Sequence, residues 1–101
     1  NKSDTGSHTV IAVSTERIGV DIETMKERPF YKISKWYFDS HEVTANKLIY
    51  YDTLTRKEAD TKWQTEKIAV NMKGCVKRDA WGRDMIPLKG LPDNVIGYIC
   101  S

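Results

Sequence analysis

The sequence predicts an α+β fold, a small mixed or antiparallel sheet packed with two helices. Three observations carry this expectation: a period-two segment at 18–23, helical spacing across 29–38 and 46–65, and short β-rich segments between glycine turns from 68 onward. In chain order, residues 1–8 are polar and contain Gly6, so they read as a loop. Thr9 to Ser14 is rich in β-branched and apolar residues and reads as a strand. After the polar break at Glu16-Arg17, Ile18, Val20 and Ile22 alternate with Gly19, Asp21 and Glu23, which predicts a half-buried strand whose polar face carries both carboxylates.

A helix over 29–38 opens on Pro29, a favoured first-turn residue, and sets Phe30, Ile33, Trp36 and Tyr37 at helical spacing as an apolar stripe. The aromatic run Trp36-Tyr37-Phe38 reads as core. Asp39-Ser40 ends the helix, with Ser40 as the expected cap of a short turn through Val43. A second helix is expected over about 46–65, interrupted near Asp52-Thr53, with Leu48, Tyr51, Leu54, Ala59, Lys62 and Trp63 toward one side. Residues 68–76, 85–88 and 95–100 read as strands, with Gly74, Gly82, Gly90 and Leu91-Pro92-Asp93-Asn94 supplying turns.

Length and composition bound the function. At 101 residues, the chain reads as one domain spanning 1–101, with 40 % hydrophobic and 30 % charged residues as in folded globular domains. A domain of this size buries only about 60 % of its unfolded surface, so a large private cavity calls for a partner or a second lobe. The balance of 16 basic against 14 acidic residues, net charge +2, argues against a charge-driven nucleic-acid binder. Cys75 and Cys100 lack the spacing of a zinc site and read as reduced thiols of a cytoplasmic protein, with a disulfide as the alternative. No apolar run reaches the ~18 residues of a membrane span. His8 and His41 read as surface residues.

Two acidic motifs hold the chemistry. Asp21 and Glu23 leave the same face of one strand, and adjacent carboxylates are most comfortable beside a cation, for which oxygen-only ligands favour Mg2+. In Thr55-Arg-Lys-Glu-Ala-Asp-Thr-Lys62, Glu58 and Lys62 lie one turn apart on a helix, placing a third carboxylate and a phosphate-binding ammonium on one side. Each motif alone reads more readily as solvated surface, the first as an edge strand and the second as an ordinary ion pair. Lys73, Lys77, Arg78 and Arg83 form a basic segment that reads either as a docking face for an acidic partner or as a solvated strand face.

In combination, Gly19-Val-Asp-Ile-Glu23 followed by Thr55-Arg-Lys-Glu-Ala-x-x-Lys62 resembles the C-terminal half of the surfactin-type 4'-phosphopantetheinyl transferases. The stretch Ile33 to Glu42, the opening Asn1-Lys-Ser-Asp-Thr-Gly6 and the closing Gly97-Tyr-Ile-Cys100 are similar to further segments of that family. The resemblance implies a single transferase-like lobe that moves the phosphopantetheine arm of coenzyme A onto a serine of an acyl or peptidyl carrier protein. It implies Asp21, Glu23 and Glu58 as magnesium ligands, Glu58 and Lys62 as catalytic groups, and Lys62, Ser3 and Thr5 as coenzyme A contacts. Glu42 matches a further acidic position. Asp4 stands where the family has His, and Leu54 where it has Trp. Because family members of this motif order have two lobes, the resemblance also implies a homo-oligomer or a second lobe.

Overall fold

The computed structural model describes residues 2–14, 18–64 and 84–101. Its elements are β1 (Lys2–Thr5), β2 (His8–Ile11), β3 (Gly19–Thr24), α1 (Phe30–Tyr37), a 3-10 turn (Ser40–Glu42), α2 (Lys47–Gln64), β4 (Met85–Pro87) and β5 (Val95–Cys100). Among the described residues, β1 and β2 form an antiparallel hairpin, and β3, β5 and β4 form an antiparallel sheet in the order β3-β5-β4. The architecture is the expected α+β one. The expected strand at 68–76, the turns at Gly74 and Gly82, Cys75 and the basic segment at 73–83 lie outside the described residues.

The opening segment is a correction. Residues 2–5 are a strand rather than a loop, closed onto β2 by the two-residue turn Gly6-Ser7, where Gly6 takes a φ of 55° that suits a tight hairpin. Its alternation is not apolar but hydroxyl against charge. Ser3 and Thr5 face the outer edge of β3, where the Ile22 N–H donates to Ser3 Oγ (2.9 Å) and the Thr24 N–H donates to Thr5 Oγ1 (2.9 Å). Side-chain oxygens thus take the place of a backbone ladder and satisfy buried amides that would otherwise lack acceptors. β2 ends at Ile11, so the expected strand through Ser14 is shorter than its β-branched composition suggests.

β3 was expected to have one wet face, and it has none. Val20 and Ile22 are fully buried on one face, while Asp21 on the other is only 4 % exposed because α2 lies across it. Gly19 makes this approach possible: a Cβ there would overlap the Ala59 carbonyl and lie 2.5 Å from the Trp63 backbone nitrogen. Gly19→Ala is therefore expected to destabilise the fold by at least ~1–3 kcal/mol, seen in a thermal melt as a clear drop in midpoint. An unchanged midpoint would mean that α2 does not sit on this strand.

α2 is continuous through Asp52-Thr53, where an interruption was expected. Asn46 starts it, with Oδ1 accepting from the Ile49 N–H (3.0 Å). Its buried face includes polar residues, Thr55, Lys57, Asp60 and Thr61, beside Tyr50, Tyr51 and Ala59, while Leu48 is exposed. The two threonines turn inward without loss because each hydroxyl donates to the carbonyl four residues back, Tyr51 O (2.6 Å) and Lys57 O (2.8 Å).

The expected α1 stripe is half right. Phe30 is buried, but Trp36 and Tyr37 are exposed, and Ser34 takes the inner position, accepting from the Thr44 N–H (3.0 Å). Phe30, Phe38, Tyr50 and Tyr51 form the aromatic core between α1 and α2, with Phe38 stacked on Tyr50 at 5.3 Å between ring centroids. A second cluster, Ala59, Tyr98 and Cys100, joins α2 to β5. Asp39, not Ser40, caps the 3-10 turn: its carboxylate accepts from the His41 N–H (3.0 Å), and Glu42 returns the contact to the Asp39 N–H. His8 and His41 are exposed, as expected.

A carboxylate triad between strand and helix

β3 and α2 bring together the three acids that the two motifs hold 35 residues apart. One carboxylate oxygen from each of Asp21, Glu23 and Glu58 lies within 4.8 Å of the others. The strand places Asp21 and Glu23 on its α2 face, and the helix aims Glu58 down onto them. Three carboxyl groups cannot crowd together while all ionised in a site where Asp21 is buried and Glu23 and Glu58 are half-buried. Burial is the main cause that pushes the Glu58 carboxyl up to about 12, helped by hydrogen bonds to, and repulsion from, Asp21 and Glu23. Glu23 is also raised, again chiefly by burial. In the cation-free site Glu58 therefore holds a proton at neutral pH.

Asp21 is asymmetric. Its Oδ1 accepts from Ser3 Oγ (3.1 Å) and from the Lys62 ammonium (3.1 Å), while its buried Oδ2 has no protein donor except a proton that Glu58 or Glu23 would carry. What can satisfy that oxygen is thus a carboxylic proton shared within the triad or a cation that takes the proton's place. An all-oxygen donor set, mutual repulsion and a buried oxygen that no amide, hydroxyl or ammonium reaches together fit a hard divalent cation, which Asp21, Glu23 and Glu58 would hold.

The other predicted site residues divide. Lys62 is in the site, but its ammonium binds Asp21 and the Lys2 carbonyl (3.2 Å), leaving one of its three N–H groups for an anionic ligand. Ser3 and Thr5 are adjacent, with their hydroxyls engaged on β3: Thr5 Oγ1 donates to Thr24 Oγ1 (2.9 Å). Asp4 points outward, accepting from the Thr9 hydroxyl (2.6 Å). Glu42 is not among the triad. It forms a buried ion pair with Lys57 (2.7 Å) instead.

Beside the triad a cleft of about 380 Å³ runs from Glu23 past Thr5 and Thr24 to Lys26 and Arg28, with Ile33, Tyr50, Tyr51 and Leu54 as its apolar wall. The segment carrying the two cations is held by a reciprocal pair of hydrogen bonds: the Lys26 N–H donates to Tyr51 Oη, and Tyr51 Oη donates to the Lys26 carbonyl, both at 3.1 Å. Neither cation was anticipated from the sequence, although both follow the Asp-x-Glu strand within five residues. No family model, curated protein or solved structure matches the chain. Among the described residues, no helix is long and apolar enough to cross a membrane.

Proposed function

We propose that the chain is a magnesium-dependent 4'-phosphopantetheinyl transferase lobe, acting on coenzyme A and an acyl or peptidyl carrier protein. The observation that supports this most is the convergence of Asp21, Glu23 and Glu58 around a buried Asp21 oxygen that no amide, hydroxyl or ammonium reaches. The adjoining cleft supports it too: the Glu23 carboxylate on its lining, Lys26 and Arg28 for phosphate charge, and an apolar wall for an extended arm. On α1, Tyr31, Lys32, Lys35 and Trp36 line an open groove of about 480 Å³, a cationic and aromatic face suited to an acidic carrier.

In this reading the carrier serine oxygen forms a bond to the β-phosphorus of coenzyme A. The bond from that phosphorus to the bridging oxygen breaks, and 3',5'-adenosine bisphosphate leaves with the electron pair. Magnesium, when bound, supplies charge neutralisation and orientation of the pyrophosphate. Lys62 offers its remaining N–H to a phosphate oxygen, and Lys26 and Arg28 hold the cofactor's charge. The serine proton passes to a triad carboxylate acting as general base, with Glu58 reached through water. A cytoplasmic setting and a homo-oligomer or second lobe belong to the same reading.

A second reading, a non-catalytic module that binds carrier or coenzyme A, is favoured by the engagement of Ser3 and Thr5 with β3 instead of with open space. Mass spectrometry of apo carrier incubated with the chain, coenzyme A and Mg2+ separates the two. Transfer predicts the mass gain of one phosphopantetheine, abolished by EDTA and restored by excess Mg2+. Carrier retention on the immobilised chain without any mass gain would favour the module.

A further inference from the structure

We propose that Ser3 is a positioning residue of the carboxylate site, fixing the plane of the Asp21 carboxylate so that the oxygen Ser3 does not hold is offered to a divalent cation. The inference rests on the cation reading above and goes beyond it. It starts from the two donors on Asp21. Ser3 Oγ and the Lys62 ammonium both reach Oδ1, each at 3.1 Å, and neither reaches the buried Oδ2. Two donors on one oxygen fix the plane of the carboxylate: a quarter-turn about its last torsion would break both bonds, and a half-turn only exchanges two equivalent oxygens.

The direction of the Ser3 hydroxyl is itself fixed. Its oxygen accepts from the Ile22 N–H at 2.9 Å, so its single proton is free to point at Asp21, and at 3 % exposure no bulk water competes for it. Lys62 is tied to the same strand through the Lys2 carbonyl (3.2 Å), so β1 steadies both donors. This assigns Ser3 a different task from the coenzyme contact expected from the sequence. Its hydroxyl serves the protein's own carboxylate, and the hairpin becomes part of the cation site although it contributes no ligand.

The test is calorimetric titration with Mn2+ on the whole chain, with folding checked by thermal melts. Ser3→Ala is expected to bind Mn2+ at least about tenfold more weakly than the wild type, as losses of ligand-orienting groups do. Ser3→Thr, which keeps the hydroxyl, is expected to restore affinity to within about threefold of wild type. Asp4→Ala, which removes the exposed Thr9 contact from the same hairpin, controls for loss of hairpin stability and should leave affinity within about twofold. Wild-type affinity in folded Ser3→Ala overturns the proposal while leaving the cation reading intact. Absence of Mn2+ binding by the wild type removes both. Should Ser3→Ala not fold, Ser3→Cys, a much weaker donor, takes its place with the same expected loss, and undiminished affinity there overturns the proposal equally.

Discussion

Glu58→Gln is expected to abolish transfer, by about 10³-fold or more, and at the same time to stabilise the cation-free protein. The two effects have one origin. Glu58 sits over Asp21 and Glu23 in a buried site, and its carboxyl is pushed up to about 12 from an ordinary value of 4.5, chiefly by burial. The unfolded chain gives up this proton above about pH 4.5 and the folded chain keeps it. Folding stability is therefore highest at low pH with respect to this group, and declines as pH rises from there toward about 12. The neutral amide has the same shape and nothing to titrate. Thermal melts in EDTA from pH 5 to 9 should show the wild type losing stability with rising pH and Glu58→Gln much flatter. At pH 8 the variant should be higher by about 5 °C or more, equivalent to ~1 kcal/mol in a domain of this size. Mg2+ should raise the wild-type midpoint and leave the variant unmoved, because binding a cation to the native state alone is what stabilises it. Parallel pH curves for the two proteins would mean that Glu58 is not held in a crowded, buried triad.

What made the triad legible was order along the chain. Asp21 and Glu23 declare a common face through the Val20-Ile22 alternation, and Glu58 with Lys62 declare one side of a helix. Their meeting needed only that the helix cross the strand. The sequence pattern did not disclose that the crossing buries Asp21. Period-two alternation reports on one face of a sheet, and the second face here is closed by a helix whose own inward side carries Thr55, Lys57, Asp60 and Thr61. A stripe made partly of polar groups has no hydrophobic period to detect, because these groups satisfy their hydrogen bonds inside the fold.

The same reasoning explains the other misses. β1 has no apolar residue, and its value as a strand lies in hydroxyls that meet the amides of β3, a match visible only once both edges are in place. Lys26 and Arg28 lie in a segment without regular structure, so no periodicity marked them, and the Tyr51 hydroxyl that anchors them is 25 residues away. Helical spacing puts Trp36 and Tyr37 on the apolar stripe of α1, whereas Ser34 occupies the inner position because Thr44 needs its oxygen. Hydrophobic pattern thus located the elements, and polar complementarity between elements, which is non-local, decided the site.

Lys57 makes this dependence measurable. It lies one residue before Glu58, with its side chain 2 % exposed, its ammonium 2.7 Å from Glu42 Oε1 and 5.3 Å from the centre of the Phe38 ring. The contact ties α2 to the turn that ends α1, and so fixes the helix at the point where it delivers Glu58 to the strand. Lys57→Met keeps the length of the stem and removes the charge, which leaves the Glu42 carboxylate in a nearly closed environment without its cation. Loss of one partner from a buried pair costs about 3–5 kcal/mol, a fall in midpoint on the order of 15 °C for a domain this small. Glu42→Gln alone should be destabilising for the converse reason, and the double variant should recover part of the loss, since neither charge is then stranded. The sum of the two single losses in the double variant would show instead that the groups act independently. At temperatures where Lys57→Met remains folded, its Mn2+ affinity separates two contributions: an undiminished value assigns Lys57 to holding the fold, and a reduced one shows that the ion pair also sets the position of Glu58.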